Sequence, residues 1–120
     1  MAEHNQLGEK GEKLARTFLE SLGYQIVAEN WRERKFEIDL IAIDRQEIVF
    51  IEVKTRSTYF FGNPEEAVTQ KKQEHLINGA DLYLQENELD LECRFDVVAI
   101  VLNSTQQEIK HIKNAFYPEI

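Results

Sequence analysis

Hydrophobic and polar residues alternate along two neighbouring segments in the first half of the chain. Phe36–Asp44 and Glu47–Arg56 both follow a period of two, and the polar pair Arg45-Gln46 separates them. Alternation of this kind predicts β-strands, and so short a polar break predicts that the two strands form an antiparallel hairpin.

The register of this hairpin brings two acidic residues together. If Asp44 lies opposite Glu47, then Asp39 lies opposite Glu52, and opposed side chains point to the same face with Cβ atoms about 4.5–5.5 Å apart. Lys54 emerges on that face because it lies two residues beyond Glu52. Two adjacent carboxylates repel unless a cation or a proton intervenes. The pattern therefore predicts a divalent metal site with oxygen ligands, beside an ammonium group suited to a phosphate or a water molecule.

The predicted faces of the hairpin place this cluster at the margin of a buried layer. One face is apolar throughout, and the other is apolar up to the point where the three charged residues begin. Strands that are apolar on both faces lie inside a covered sheet, where unpaired charges are costly. The apolar positions are Ile38, Leu40, Ala42, Val49, Ile51 and Val53 on the first face, and Ile41, Ile43, Ile48 and Phe50 on the second. The alternative is an ion pair between Glu37 and Lys54, with two carboxylates that simply reach solvent.

Other segments predict the elements before the hairpin. Apolar residues at helical spacing predict a first helix over Asn5–Leu22, with Gly23 as its stop. Tyr24–Asn30 is typical of a strand, and Trp31–Lys35 is interpreted as a basic loop.

The second half predicts one further helix and two strands. Asn63-Pro64-Glu65-Glu66 is a helix-start signal, and a second start at Thr69 divides the region into a short turn and a longer helix. The remaining predicted segments are an irregular loop at Ser57–Gly62, a strand at Glu92–Leu102, a turn at Asn103–Gln106 and a last strand at Glu108–Lys113. The order α-β-β-β-α-β-β predicts an α/β fold around a central sheet of mixed pairing.

Length and composition predict one domain over residues 1–120. Hydrophobic residues make up 42% and charged residues 30% of the chain, as in ordinary soluble globular proteins. No apolar run approaches the ~18–20 residues of a membrane span. The polar N-terminus lacks a secretory signal, and a single cysteine, Cys93, excludes an internal disulfide. We therefore expect a cytoplasmic protein.

A net charge of −8 argues against simple binding of nucleic acid through phosphate neutralisation. The distribution of the bases weakens that objection, because several of them fall between residues 31 and 72, around the predicted site. They include Arg32, Arg34, Lys35, Lys54, Arg56, Lys71 and Lys72. The alternative is that these charges are scattered over a solvated surface.

Glu12 is a further candidate for the site. It borders the buried stripe of the first helix, so it can reach over the sheet edge toward the hairpin. The alternative is an exposed helix acid beside Lys13 and Arg16.

Four segments together carry a family resemblance. Gly11-Glu12-x-x-Ala15 on the first helix precedes Glu37–Ile41, Phe50–Arg56 and Arg94–Ile100. The chain resembles the YraN-like family of small bacterial proteins over residues 8 to about 102. That family is similar to the archaeal Holliday junction resolvases of the PD-(D/E)xK nuclease superfamily.

The resemblance implies a restriction-endonuclease-like core, with a central mixed five-stranded sheet flanked by helices. By position, Asp39 and Glu52 would be ligands of Mg²⁺ or Mn²⁺, and the carbonyl of Val53 would complete the site. Lys54 would position or activate the attacking water and stabilise charge on the scissile phosphate. Glu12 matches the helix glutamate that assists metal binding in the resolvases.

The resemblance also implies DNA as a partner, and a homodimer for any junction-cutting role. Gln70 and Lys71 match a region where related nucleases place polar residues, and the bases Arg32, Arg34, Lys35 and Arg56 are further candidates for contact with DNA. The chain departs from the family at Phe36, where the family usually has glycine, and this residue could alter substrate access beside Asp39.

Three functions are therefore open at the level of sequence. The first is a metal-dependent endonuclease that hydrolyses phosphodiester bonds in structured DNA. The second is a non-catalytic module that recognises nucleic acid, or a protein partner at DNA, on the same fold. The third is an interaction domain in which the charged cluster is an ion network. The aromatic loop Tyr59-Phe60-Phe61 suits the latter two as a stacking or docking surface, unless it is partly buried against the second helix.

Overall fold

A five-stranded sheet with a helix on each face forms the protein in the computed structural model, which describes residues 2–58 and 64–118. The strands lie in the order β1-β2-β3-β4-β5, with β3 and β4 parallel and the other pairs antiparallel. This arrangement confirms the predicted element order and the mixed sheet. The elements are α1 (Ala2–Ser21), β1 (Gln25–Glu33), β2 (Phe36–Asp44), β3 (Glu47–Arg56), a 3₁₀ turn (Pro64–Ala67), α2 (Gln70–Glu86), β4 (Glu92–Leu102) and β5 (Gln107–Phe116).

The ends of both helices follow from local sequence. Gly23 adopts a left-handed φ of 93° just after α1, as a helix-terminating glycine does. Thr69 caps α2, and its side chain accepts a hydrogen bond from the backbone N–H of Lys72 at 3.2 Å. The predicted second helix start at Thr69 is therefore confirmed. The predicted cap at Asn63 and the aromatic loop Tyr59-Phe60-Phe61 lie outside the described residues.

The interpretation of Trp31–Lys35 as a loop is wrong for most of that segment. Strand β1 continues to Glu33, and Trp31 pairs with Ile38 on β2. The ring of Trp31 also meets that of Tyr83 on α2 edge to face, with centroids 5.5 Å apart. A run of charged residues suggested a loop, but hairpin pairing and one partly buried aromatic ring are enough to extend the strand. The last strand is likewise longer than predicted.

Two separate cores cover the two faces of the sheet. Leu40, Ala42, Val49 and Ile51 pack under α1, in one cluster with buried α1 residues. The second cluster lies under α2 and contains Ile38 with Ile41, Ile48 and Phe50 on the sheet, and Leu76 and Ala80 on the helix. The assignment of Ile38 to the same face as Leu40 is therefore wrong. The strand changes its facing between these two residues, and the residue between them is Asp39.

An ionic network joins four strands at the other end of the sheet. The guanidinium of Arg94 on β4 contacts the carboxylates of Asp44, Glu47 and Asp96 at 2.9–3.1 Å. Asp96 is fully buried, and its second oxygen also lies 2.7 Å from Nε2 of His111. The pKa of Asp96 is lowered, because burial, which alone would raise it, is outweighed by hydrogen bonds from His111 and Arg94. This network fixes the end of the sheet remote from the predicted site.

None of the described helices combines the length and the apolar character needed to cross a membrane.

Candidate metal centre

The hairpin has the register predicted from the sequence. Asp44 pairs with Glu47, and the β2–β3 ladder continues in step to Leu40 opposite Ile51. Asp39 follows at the point where this ladder stops. The strands part here, and the gap between them is where the predicted site lies.

Asp39 turns its carboxylate into this gap. Its Oδ2 accepts a 2.8 Å hydrogen bond from the backbone N–H of Val53 on β3. The neighbouring positions explain this orientation, because Ile38 packs under α2 whereas Leu40 packs under α1. Because the residues on either side of Asp39 point to opposite faces of the sheet, the Asp39 side chain lies near the plane of the sheet, within reach of groups on both faces.

Glu52 is the buried member of the acidic pair. It is only 5% exposed and lies within hydrogen-bonding reach of the Asp39 side chain. Burial, followed by the charge of Asp39, raises the pKa of Glu52 to about 8. The ammonium groups of Lys72 and Lys54 act in the opposite direction, and Lys72 Nζ lies 3.7 Å from Glu52 Oε1. Two lysines therefore do not fully offset the desolvation and repulsion at this carboxylate.

Glu12 reaches the same group from α1. Its side chain is within hydrogen-bonding reach of both Asn30 and Asp39, and its pKa is raised to about 6 by burial and then by the charge of Asp39. The alternative of an exposed helix acid is therefore wrong. Asp39 therefore acts electrostatically on carboxyl groups from both α1 and β3.

The approach of α1 to the sheet depends on Gly11. A Cβ atom at Gly11 would lie 1.8 Å from Oγ1 of Thr55 on β3, a distance that no side chain could tolerate. Glycine in a helix interior costs about 1 kcal/mol relative to alanine, so a packing reason for it is expected here. The close contact sets Glu12 over the end of β3, where the gap opens.

The donor set suits a hard cation that keeps part of its water shell. Within residues 2–58 and 64–118, no group of three or more His, Cys, Asp or Glu side chains is arranged to enclose a metal ion by itself. Mg²⁺ is usually held by one or two carboxylates, with waters and substrate phosphates as its other ligands. Asp39 and Glu52 supply two such carboxylates, and the raised pKa of Glu52 shows that their mutual repulsion is not relieved by the protein alone. The residues present therefore fit Mg²⁺ or Mn²⁺.

The ion pairs of the predicted alternative do not form. Glu37 pairs with Arg32, whose Nε lies 2.7 Å from Glu37 Oε1, rather than with Lys54. Lys54 lies beside Ala99 of β4 in the parallel ladder, and its charge acts on Glu52.

The predicted DNA-contacting residues occupy several elements of the structure. Lys35 and Lys71 line one groove, together with Lys72. Gln70 lines a second groove, beside Tyr117, and the two grooves share Glu74 and Asn78. Arg32 pairs with Glu37, Arg34 forms part of the β1–β2 turn, and Arg56 ends β3.

Sequence reasoning missed the role of Lys72. This residue was counted among the bases near the site, but its contact with Glu52 was not predicted. The available signal was its position three residues after the cap Thr69, in the first turn of α2. Without the packing of α2 on the sheet, that signal identifies no partner.

The departure at Phe36 has a local explanation. Its ring lies 5.0 Å from that of His75 on α2, and a Cβ at Gly79 would lie 3.2 Å from Phe36 Cβ. The side chain therefore packs on α2, where it shares a groove with Lys72.

Comparison with known proteins identifies relatives along the entire chain. The sequence model of the family described as "Uncharacterised protein family UPF0102" matches residues 11–100. A UPF0102 protein of Phocaeicola vulgatus is 47% identical over 120 residues, covering 100% of this chain and 99% of the relative. A UPF0102 protein of Christiangramia forsetii is 45% identical, and the match covers 98% of this chain and 98% of the relative. A UPF0102 protein of Bacteroides thetaiotaomicron is 43% identical, and that match covers 100% of this chain and 99% of the relative. The matched region includes Glu12, Asp39, Glu52 and Lys54.

Proposed function

Because the chain belongs to the uncharacterised protein family UPF0102, we propose a function from its acidic site: metal-dependent hydrolysis of phosphodiester bonds in structured DNA. The observation that carries this proposal is the contact between Asp39 and Glu52, whose pKa is raised to about 8, beside two lysine ammonium groups. A buried carboxylate pair at the end of a sheet is costly unless a cation neutralises it. Perturbed carboxylates of this kind are more frequent at functional sites than elsewhere.

Each side chain has a separate task in this proposal. Asp39 and Glu52 hold Mg²⁺ or Mn²⁺, and the hydrogen bond from Val53 N–H fixes the direction of the Asp39 carboxylate. The carbonyl of Val53 is a further proposed ligand, and Glu12 supports the site from α1. When bound, the cation supplies positive charge that polarises the phosphodiester and acidifies water.

Lys54 has its proposed task at the scissile phosphate, in addition to its charge acting on Glu52. It follows Glu52 by two residues on β3, so its ammonium group emerges on the same face of the strand. A fixed positive charge at this place stabilises the charge that develops on the phosphoryl oxygens, where preorganised electrostatics has its largest effect on rate.

The proposal is tested by DNA cleavage. Wild-type protein with Mg²⁺ or Mn²⁺ cleaves branched DNA, and a chelator stops the reaction. Asp39→Asn and Lys54→Ala abolish cleavage and stay folded, since an asparagine oxygen still accepts the hydrogen bond from Val53. Exposed Glu37→Gln and Lys13→Ala are the matched controls and keep full activity. Cleavage that is equal in wild type, Asp39→Asn and Lys54→Ala would refute the assignment.

A second candidate is a non-catalytic module that binds nucleic acid on the same fold. The groove with Lys35, Lys71 and Lys72 favours it, because that surface offers positive charge with no requirement for a metal. Under this alternative, wild-type protein binds DNA at low salt in the presence of chelator, and no DNA substrate is cut when metal is added.

A further inference from the structure

A groove of about 470 Å³ runs beside the carboxylate site, between the start of β2 and the first turns of α2. Lys72 connects the two places, because it lines the groove and its Nζ also lies 3.7 Å from Glu52. The lining residues are Lys35, Phe36, Thr69, Lys71, Lys72, Glu74, His75 and Asn78. A ligand in this groove therefore lies next to the proposed reaction centre.

The wall of the groove carries two aromatic rings in a fixed position. Phe36 and His75 have centroids 5.0 Å apart at an interplanar angle of 44°, and both side chains are only half-buried. Close packing on Gly79 fixes the base of Phe36, since even one added carbon there would be 3.2 Å away. The ammonium group of Lys35 lies 5.7 Å from the centroid of the Phe36 ring. An aromatic ring beside a lysine offers a surface on which a base can stack and a positive charge for the adjoining phosphate.

The charge of the groove is opposite to that of the whole chain. Three lysines and one acidic residue, Glu74, line it, in a chain whose net charge is −8. Lys71 is exposed and forms no ion pair with any residue of the described ranges. Local positive charge beside aromatic rings is the combination that single-strand-binding proteins use: cations follow the phosphates, and rings stack on the bases.

We propose that this groove binds an unpaired nucleotide, which stacks on Phe36 and His75 while Lys35 and Lys71 contact its flanking phosphates. The inference rests on the proposed nuclease function and specifies its substrate class: a strand with at least one base outside the duplex, as at a flap, a branch point or a single-stranded end. A paired base in the interior of a duplex has neighbours on both faces, so a protein ring can stack on a base only after that base leaves the helix.

The test is a binding measurement in the presence of chelator, so that it does not depend on catalysis. Fluorescence anisotropy with a short oligothymidylate and with a blunt-ended duplex of two annealed complementary strands, which has no unpaired base, measures both affinities for wild type, Phe36→Leu and Phe36→Tyr. Leucine keeps apolar packing on α2 but removes the aromatic face. Base stacking on an aromatic side chain is worth about 1–3 kcal/mol, so Phe36→Leu should weaken single-strand binding roughly 5- to 150-fold. Phe36→Tyr should retain it, and duplex binding should change little.

Matched substitutions separate the groove from the rest of the surface. Tyr117→Leu removes an exposed aromatic ring outside the groove and should leave single-strand affinity unchanged. Lys71→Gln should reduce the slope of log K against log salt by about 0.7, the value for one phosphate contact on a single strand. Lys13→Gln on α1 should not change that slope. Circular dichroism and a thermal melt establish that each variant is folded.

The outcomes distinguish this inference from the proposed function. Single-strand binding that depends on Phe36 supports the groove even if no DNA is cut, and in that case only the nuclease assignment fails. If the wild type cleaves DNA but Phe36→Leu binds single strands as tightly as the wild type, the assignment of the groove is wrong and the nuclease assignment stands. Equal losses for single strand and duplex, or no binding of oligothymidylate by the wild type, also overturn the groove.

Discussion

Replacement of Glu52 by glutamine should make the metal-free protein more stable at neutral pH. The carboxyl group is 5% exposed and lies against Asp39, and its pKa is raised to about 8 from an ordinary value of 4.5. Glutamine is close in size and can still form a hydrogen bond with Asp39, but it carries no ionisable proton. The variant therefore removes the titration while it largely keeps the packing.

The sign of the pH dependence follows from where the proton is held. The folded chain keeps a proton on Glu52 up to about pH 8, whereas the unfolded chain releases it near pH 4.5. The contribution of Glu52 to the stability of the wild type is therefore greatest below pH 4.5, and it is lost as the pH rises through 8. For a single group, this shift corresponds to a loss of about 3 kcal/mol between pH 4 and pH 7. The Glu52→Gln variant lacks this loss.

Urea unfolding followed by circular dichroism, at pH 5 and pH 8 with chelator, measures the effect. We expect Glu52→Gln to gain stability relative to wild type on going from pH 5 to pH 8, by a few kcal/mol. Glu86→Gln, an exposed position on α2, is the matched control and should run parallel to wild type. If Glu52→Gln also runs parallel to wild type across this range, Glu52 is not a desolvated carboxyl group and the description of the site is wrong.

Further substitutions test how the fold holds the site. Gly11→Ala should lower the free energy of unfolding in urea by about 1–3 kcal/mol, because the added Cβ would overlap Thr55. Gly8→Ala is the control and should be neutral or stabilising, because nothing lies within 4 Å of its added Cβ. An unchanged stability of Gly11→Ala would contradict the close packing of α1 on β3. Thr69→Ala should cost about 1 kcal/mol in the same assay through loss of the α2 cap, and an unchanged unfolding midpoint would show that the cap contributes nothing. Asp96→Asn should lower the free energy of unfolding by about 3–5 kcal/mol at pH 7, because the buried guanidinium of Arg94 would lose the negative charge of one of its partners. Since the folded pKa of Asp96 is lowered, that difference should shrink as the pH falls below about 4, and a difference that stays constant in acid would rule out the ionic explanation.

The sequence was informative wherever one local pattern determined the answer. Alternation and a two-residue break were enough to predict that Asp44 meets Glu47, and the ladder keeps that register as far as Leu40 opposite Ile51, one residue short of Asp39 and Glu52. The cap at Thr69 and the stop at Gly23 depend on a few neighbouring residues, so they could also be predicted. The prediction of an acidic pair on the hairpin therefore needed only local sequence and no knowledge of tertiary contacts.

Features that depend on contact between distant elements could not be predicted in this way. Lys72 meets Glu52 only because α2 packs on this face of the sheet, and no spacing in the sequence encodes that packing. The change of facing between Ile38 and Leu40 interrupts the very periodicity that predicted the strand. Arg94 looked like an isolated base, because its carboxylate partners on β2 and β3 are about fifty residues away in the chain.

The central claim is that Asp39 and Glu52 jointly hold a divalent cation. Calorimetric titration of Mn²⁺ into the wild type and into Asp39→Asn, at pH 8 and in the absence of DNA, tests it most directly. We expect a saturable heat of binding in the wild type and in the control Glu37→Gln, and none in a folded Asp39→Asn. The same binding isotherm in the wild type and Asp39→Asn would contradict the claim.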